Sequence, residues 1–201
     1  MLKCILGVSN PIMNLFWQTF ESSWGEILIV CNHKGLIRVT LPNASVSKEL
    51  NLLSKNRETI LTFKATALIQ QTKKQLDEYF QGARQTFRLE FDMQGTDFQK
   101  RVWKELQKIP FGETRSYQDI ARAINHIKAA RAVGMANNKN PLPLVVPCHR
   151  VIGKNGDLVG FGGGLSLKKK MLDFEKSILT KKKPLKDERN LQKSHLIHVG
   201  M

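Results

Sequence analysis

"TRSYQDIARAINHIKAARAVGMANN" (residues 114–138) contains two short helical patterns separated by a break at Asn125-His126. The first starts near Ser116 and the second at about Lys128, and two short helices joined by a tight turn predict a helix-turn-helix. The pattern is weak by itself, since many helical hairpins never touch nucleic acid. The composition of the second helix is more unusual. Ala129, Ala130, Ala132, Gly134 and Ala136 make it thin, and Arg131 is the only long side chain in its first half. A thin helix can approach a nucleic-acid backbone closely, and one projecting arginine can enter a minor groove or replace a displaced base. Small residues also let a helix pack tightly against a neighbour, and composition alone does not choose between the two.

Upstream, "GTDFQKRVWKELQKIPFG" (95–112) opens with a capping box at Thr96 and Gln99 and sets Phe98, Val102 and Leu106 on one helical face. Lys100, Arg101, Lys104 and Lys108 fall on the polar face. A domain boundary is expected near Met93 to Gly95, and the residues before it read as mixed α/β. "EILIVCNHKGLIRVTL" (26–41) places two β-branched segments around a hairpin signal at Asn32 to Gly35. "LTFKATALIQQTKKQLDEYFQG" (61–82) carries a helical stripe through Leu68, Ile69, Thr72 and Leu76 that ends at Gly82. "TFRLEF" (86–91) alternates and predicts a further strand.

The chain has 201 residues, with 32 Lys plus Arg against 17 Asp plus Glu and a formal charge of +15. Such a balance favours an anionic partner, nucleic acid before a membrane surface. From Ile120 to Gly156 there is no acidic residue, while Arg122, Lys128, Arg131, Lys139, Arg150 and Lys154 all fall inside. A merely solvating charge rarely excludes one sign for so long, so a functional basic surface is expected there. No run approaches the roughly 18 apolar residues of a membrane span. Three cysteines, Cys4, Cys31 and Cys148, make no pairable framework and argue for reduced thiols inside a cell. Cys4, Cys31 and His33 lack the second close pair of a zinc finger or ribbon, so no metal is expected. No G-x-x-x-x-G-K-[ST] is present to support nucleotide hydrolysis.

Beyond the thin helix, Asn140, Pro141 and Pro143 force the chain out of helix. Leu144, Val145 and Val146 read as buried, which puts Cys148 at the mouth of a core. A free cysteine is more often an inert buried side chain than a nucleophile. Here His149, Arg150 and Lys154 are close in sequence, and a positive field lowers a thiol pKa toward the reactive thiolate. In an extended segment Cys148 and His149 point in opposite directions, so His149 does not bond Cys148 directly unless the chain turns there, and a bridging water is one way to connect them.

"PCHRVIGKNGDLVGFGGGLSLKKKMLDFE" (147–175), preceded by "ARAVGMANNKNPLPLVV" and by "GTDFQKRVWKELQKIPFGETRSYQDIA", resembles the O6-alkylguanine-DNA alkyltransferases, the methylated-DNA–protein-cysteine S-methyltransferases. The resemblance covers about residues 93–176, and the Pro-Cys-His-Arg-Val core is highly specific. It implies a ribonuclease-H-like sheet with helices over 1–92 and a mostly α, DNA-binding alkyltransferase domain with the helix-turn-helix over 93–176; residues 177–201 have little apolar periodicity and read as a basic, disordered tail.

By this resemblance Cys148 is the nucleophile that takes the alkyl group from guanine O6, and His149, oriented by Glu175, removes the thiol proton through a water. Asn140 holds the turn that carries the cysteine. Tyr117 turns the nucleotide out and bonds the flipped base, and Arg131 fills the vacated stack. The helix carrying Ala129, Ala130 and Gly134 enters the minor groove of double-stranded DNA, with Lys128 and Arg150 among the expected phosphate contacts. Phe161, Gly162, Val151 and Pro143 are expected to line the substrate pocket. Many relatives have a tyrosine at 161 and a small hydroxyl residue or alanine at 162, so Gly162 leaves only its backbone N–H to meet O6.

The implied activity is single-turnover DNA repair, because a thioether is not opened by water, with O4-alkylthymine a further candidate substrate. The expected protein is a monomer without cofactor or membrane contact, cytoplasmic or, in a eukaryote, nuclear. A helix-turn-helix regulator or alkylation-damage sensor is the alternative; such sensors lack the cysteine. A cysteine hydrolase is disfavoured, since its Cys and His are ordinarily far apart in sequence.

Overall fold

A computed structural model describes residues 12–56 and 58–182. The N-terminal half is a four-stranded sheet in the order β3-β2-β1-β4, built from β1 (Met13–Ser22), β2 (Gly25–Cys31), β3 (Leu36–Val39) and β4 (Thr59–Phe63). β1 and β2 are antiparallel with Thr19 opposite Leu28, β2 and β3 form the hairpin expected at Asn32 to Gly35, and β4 runs parallel to β1. A parallel pair needs a crossover, and here the short helix α1 (Val46–Ser54) supplies it. Helix α2 (Ala67–Phe80) starts where Thr66 Oγ1 accepts the Ile69 N–H and is followed by Gly82 at φ 73°. It buries Ile69, Thr72, Leu76, Tyr79 and Phe80.

The segment 86–91 is not a strand, contrary to its alternation. Gln75 of α2 replaces the missing neighbour: its Oε1 accepts the Arg88 N–H at 2.8 Å and its Nε2 donates to the Arg88 carbonyl at 2.9 Å. A single parallel bridge from Phe91 to Leu36 is all the ladder this segment makes. The Arg88 backbone groups are thus satisfied without a neighbouring strand.

The C-terminal half is helical. Helix α3 (Asp97–Leu106) has the expected capping box at Thr96 and Gln99, and a second box at Ser116 and Asp119 starts helix α4 (Tyr117–Ala123). Asn125, at φ 60°, turns the chain toward helix α5 (Ala130–Asn138), which begins two residues later than its sequence suggests. Val133 and Ala136 of α5 are buried, and Trp103 of α3 donates its indole N–H to the Ala136 carbonyl at 2.9 Å. Small residues on α5 thus serve close packing on one face and leave Arg131 and Met135 exposed on the other. A 3-10 turn (Cys148–Arg150) leads into the short strand β6 (Val151–Ile152), which pairs in parallel with β5 (Arg115–Ser116).

Helix α6 (Leu165–Lys182) closes the fold, so the tail expected from residue 177 does not begin there; residues 183–201, like Cys4, lie outside the described residues. One core joins the two halves: Tyr79 and Trp24 pack their rings on Phe174, at 5.8 and 5.3 Å between centroids. Among the described residues no helix is long and apolar enough to cross a membrane.

Candidate active site

Residues 140–148 form a loop whose conformation needs support. Leu144 is buried at φ 75°, a region where a branched side chain is strained. Asn140 brackets the loop, its Nδ2 donating to the Val146 carbonyl at 2.8 Å and its Oδ1 accepting the Leu142 N–H at 3.0 Å. The β3 edge adds a third tie, from the Val39 N–H to the Pro141 carbonyl at 3.0 Å. Pro147 at φ −80° and ψ 64°, with the Cys148 N–H bonded to the Val146 carbonyl at 2.8 Å, makes an inverse γ-turn. Cys148 to Arg150 then coil as 3-10 helix. The chain thus turns at Cys148, the alternative to an extended segment, and His149 points into the core.

The thiol lies 6 % exposed at the floor of a cleft of about 670 Å³. Tyr117, Arg131, Gly134, Met135, Phe161 and Gly162 are among the residues that line it. The β5–β6 pairing explains how Tyr117 arrives here, because it fixes the start of α4 beside the strand that follows Cys148. The Tyr117 hydroxyl reaches the Val159 and Gly160 carbonyls at 3.0 and 3.2 Å, holding the glycine loop over the cleft. Asn43 pins the same loop from the N-terminal half by donating to the Gly163 carbonyl at 2.8 Å.

His149 and Glu175 are both fully buried, with Nε2 of the imidazole 2.8 Å from Oε1 of the carboxylate. Burial alone raises a carboxyl pKa, but here His149 and then Arg150 outweigh it and hold Glu175 down to about 2. An ionised carboxylate can only accept, so Nε2 must carry the hydrogen. Burial also pushes the imidazole below its ordinary pKa, against the pull of Glu175, which keeps the ring neutral at pH 7. Its remaining nitrogen, Nδ1, is then a bare lone pair, and it has no partner among the described residues. This arrangement can accept a proton.

Three expectations from sequence need correcting. Arg150 does not face DNA: it is buried, its Nε and Nη2 grip the two Glu175 oxygens at 2.9 Å each, and Nη1 donates to the Ile109 carbonyl at 2.7 Å. Val151 is fully buried in β6 behind the cleft and is not among the residues that line it, while Pro143 borders a smaller neighbouring cavity of about 210 Å³ that also reaches Cys148. The thiol pKa is raised, not lowered. Burial dominates, and the pull of Asn140, Lys168 and the local backbone N–H groups does not overcome it. Arg150 is paired with Glu175 and is not among the groups that lower the thiol pKa.

Lys128 and Arg131 are exposed, as a contact with a nucleic-acid backbone requires, and Ala130 and Gly134 face the cleft beside Arg131. Ala129 instead packs against the core and precedes the first turn of α5. Lys168 went unmarked in the sequence. It is fully buried, donates to the Val159 carbonyl at 2.9 Å and to the Tyr117 hydroxyl at 3.4 Å, and burial lowers its pKa to about 8. The signal was its place on α6: Lys168, Met171 and Glu175 are spaced along one buried helical face. Asn137 is also buried beside both cavities, with no partner for either amide atom among the described residues.

Two family models match the chain, "6-O-methylguanine DNA methyltransferase, ribonuclease-like domain" over residues 15–93 and "6-O-methylguanine DNA methyltransferase, DNA binding domain" over 97–177. The methylated-DNA–protein-cysteine methyltransferase of Methanosarcina acetivorans is 40 % identical over 164 residues, spanning 81 % of this chain and 99 % of its own length. The constitutive enzyme of that name from Bacillus subtilis is 42 % identical over 162 residues, 80 % of this chain and 95 % of the relative. The crystal structure of the Mycobacterium tuberculosis O6-methylguanine methyltransferase superposes with a TM-score of 0.69 at 39 % identity, covering 81 % of this chain and 93 % of that one. The same mycobacterial protein in complex with DNA gives 0.68 at 38 % identity, covering 82 % and 94 %. The fold, the two matched regions and relatives of nearly full length agree: this chain belongs to the 6-O-methylguanine DNA methyltransferase family.

Proposed function

We propose that the protein repairs DNA by moving an alkyl group from O6 of guanine to Cys148, once per molecule. One observation carries the reading: a buried, neutral His149, anchored by an ionised Glu175 and bare at Nδ1, sits next to a thiol at the floor of a cleft rimmed by an exposed arginine. The Cys148 proton passes to Nδ1 through a water. The sulfur then forms a bond to the alkyl carbon as the bond from that carbon to O6 breaks, and the electron pair leaves with the guanine. Tyr117 and Lys168, which share a hydrogen bond beside the thiol, are placed to offset that charge.

A base inside a duplex cannot present O6 to a buried sulfur, so it must leave the stack at a cost of about a few kcal/mol, less for a damaged pair. Arg131, exposed on a thin helix, fills the gap from the minor groove, and Lys128 meets a phosphate without reading sequence. The protein acts as a monomer in a reducing compartment, where the thiol survives. A sensor that binds but does not react is disfavoured by the thiol and its base. Incubation with a duplex containing O6-methylguanine, followed by intact-mass measurement, tests the proposal. A gain of one methylene on Cys148, one per protein and absent in Cys148→Ala, supports it; turnover beyond one equivalent, or binding with no mass change, refutes it.

A further inference from the structure

We infer that Tyr79, which belongs to the N-terminal half and touches neither DNA nor the reacting atoms, is a positioning residue that sets the basicity of His149 through Glu175. The inference rests on the alkyl-transfer reading and assigns the N-terminal half a part in it. Tyr79 is fully buried on α2, and its hydroxyl donates to Glu175 Oε1 at 2.8 Å. That same oxygen accepts His149 Nε2 at 2.8 Å and Arg150 Nη2 at 2.9 Å, while Oε2 accepts the Gly112 N–H and Arg150 Nε at 2.9 Å each. Three donors therefore compete for the lone pairs of Oε1.

Competition gives the sign. A hydroxyl that withdraws density from Oε1 weakens the hold of Glu175 on the His149 N–H and so disfavours the imidazolium. Tyr79 thereby keeps the base neutral, and its lone pair available, at lower pH. The tyrosine is itself a dependable donor, because burial and the adjacent carboxylate push its pKa well above the ordinary value. Arg150 from the 3-10 turn and Lys168 from α6 are the cations acting on His149, with Glu175 the opposing anion. Helix α3, packed on the same turn, has Val102, Trp103 and Leu106 as its buried residues, and its charged residues are not among the groups acting on His149.

Ring packing of Tyr79 on Phe87, Phe111 and Phe174, at 5.7, 6.0 and 5.8 Å, is a separate role that phenylalanine preserves. The test is Tyr79→Phe in the full chain, read as the pH profile of the single-turnover transfer rate, with Phe87→Leu as a variant that loosens the packing alone. The expected result is an acid limb displaced upward by about half a pH unit in Tyr79→Phe, a threefold slower rate at a pH below the limb, and no displacement in Phe87→Leu. In parallel, an NMR titration of the His149 ring in Cys148→Ser protein, with and without Tyr79→Phe, should show the same upward displacement without any transfer. An unmoved acid limb together with an unmoved ring titration overturns the role of Tyr79. Absence of transfer by the native chain overturns the repair reading instead, and the ring titration then decides Tyr79 alone.

Discussion

Replacing Glu175 by glutamine removes the charge on which His149, Arg150, Tyr79 and the Gly112 N–H converge. The carboxyl titrates at about 2 in the folded protein against 4.5 ordinarily. At about 1.4 kcal/mol per unit, this displacement corresponds to about 3 kcal/mol of stability at pH 7. The value agrees with the roughly 3–5 kcal/mol lost when one member of a buried ion pair is removed, since Arg150 is left uncompensated. The folded pKa is depressed, so the contribution is complete above 4.5 and disappears as pH falls toward 2. Glu175→Gln should therefore be less stable by about 3 kcal/mol at pH 7, with a melting temperature lower by about 6–12 °C. The gap should narrow to about 2 kcal/mol at pH 3.5 and approach zero near pH 2. Urea unfolding of both proteins at pH 7, 5 and 3.5 measures it, and carboxylates elsewhere cancel in the difference. A gap that stays constant over that range, or no gap at pH 7, would refute the assignment of an ionised Glu175 as the anchor of the site.

Arg131→Ala should leave folding intact, because the side chain is exposed, yet slow repair of a fully paired duplex by about fivefold to a hundredfold through loss of about 1–3 kcal/mol of extruded-base stabilisation. Stopped-flow transfer on paired and single-stranded substrates checks this, since the single strand needs no extrusion and should lose far less. Gly162→Ser should raise the transfer rate about fivefold by supplying a hydroxyl to O6, about 1 kcal/mol. An added Cβ there meets its nearest neighbour, Asn138 Oδ1, at 3.5 Å, an ordinary contact, so the melting temperature should not move. An equal or slower rate with an unchanged melting temperature would mean that the loop does not bring position 162 to O6.

Features encoded within a few residues were legible before the fold was known. Both helix starts, at Thr96 and Ser116, follow from side chains that reach a backbone three positions away, with Gln99 completing the first box and the shorter Asp119 the second. The pair around Asn125 was legible because a break interrupts two apolar periods. Properties that depend on distant partners were not legible. Arg150 and Lys168 look like solvated cations until Glu175 and the Tyr117 hydroxyl are placed against them. The alternation at 86–91 predicts a strand because nothing local reveals that the Gln75 side chain, not a neighbouring strand, meets Arg88. For the thiol, counting nearby basic residues gave the wrong sign. The charge nearest in sequence is already paired, and burial decides.

That reversal bears on how a protein that works once, as proposed above, would be protected from waste. Cysteine enzymes that rest as a thiolate beside an imidazolium react with any soft electrophile that reaches them. Here burial holds Cys148 above its ordinary pKa and His149 below, so the resting pair is a neutral thiol and a neutral base. Proton transfer between them creates two charges in a site that disfavours both, and it becomes worthwhile only when the sulfur can pass its charge on. In the proposed transfer, a guanine held with its alkyl carbon at the sulfur would allow this, because the electron pair would leave with the base toward Tyr117 and Lys168. A stray electrophile that meets the thiol without being seated in the cleft does not pass its leaving group to those two side chains. The desolvation that slows the resting thiol is thus the same feature that reserves its single reaction for a base delivered to the cleft.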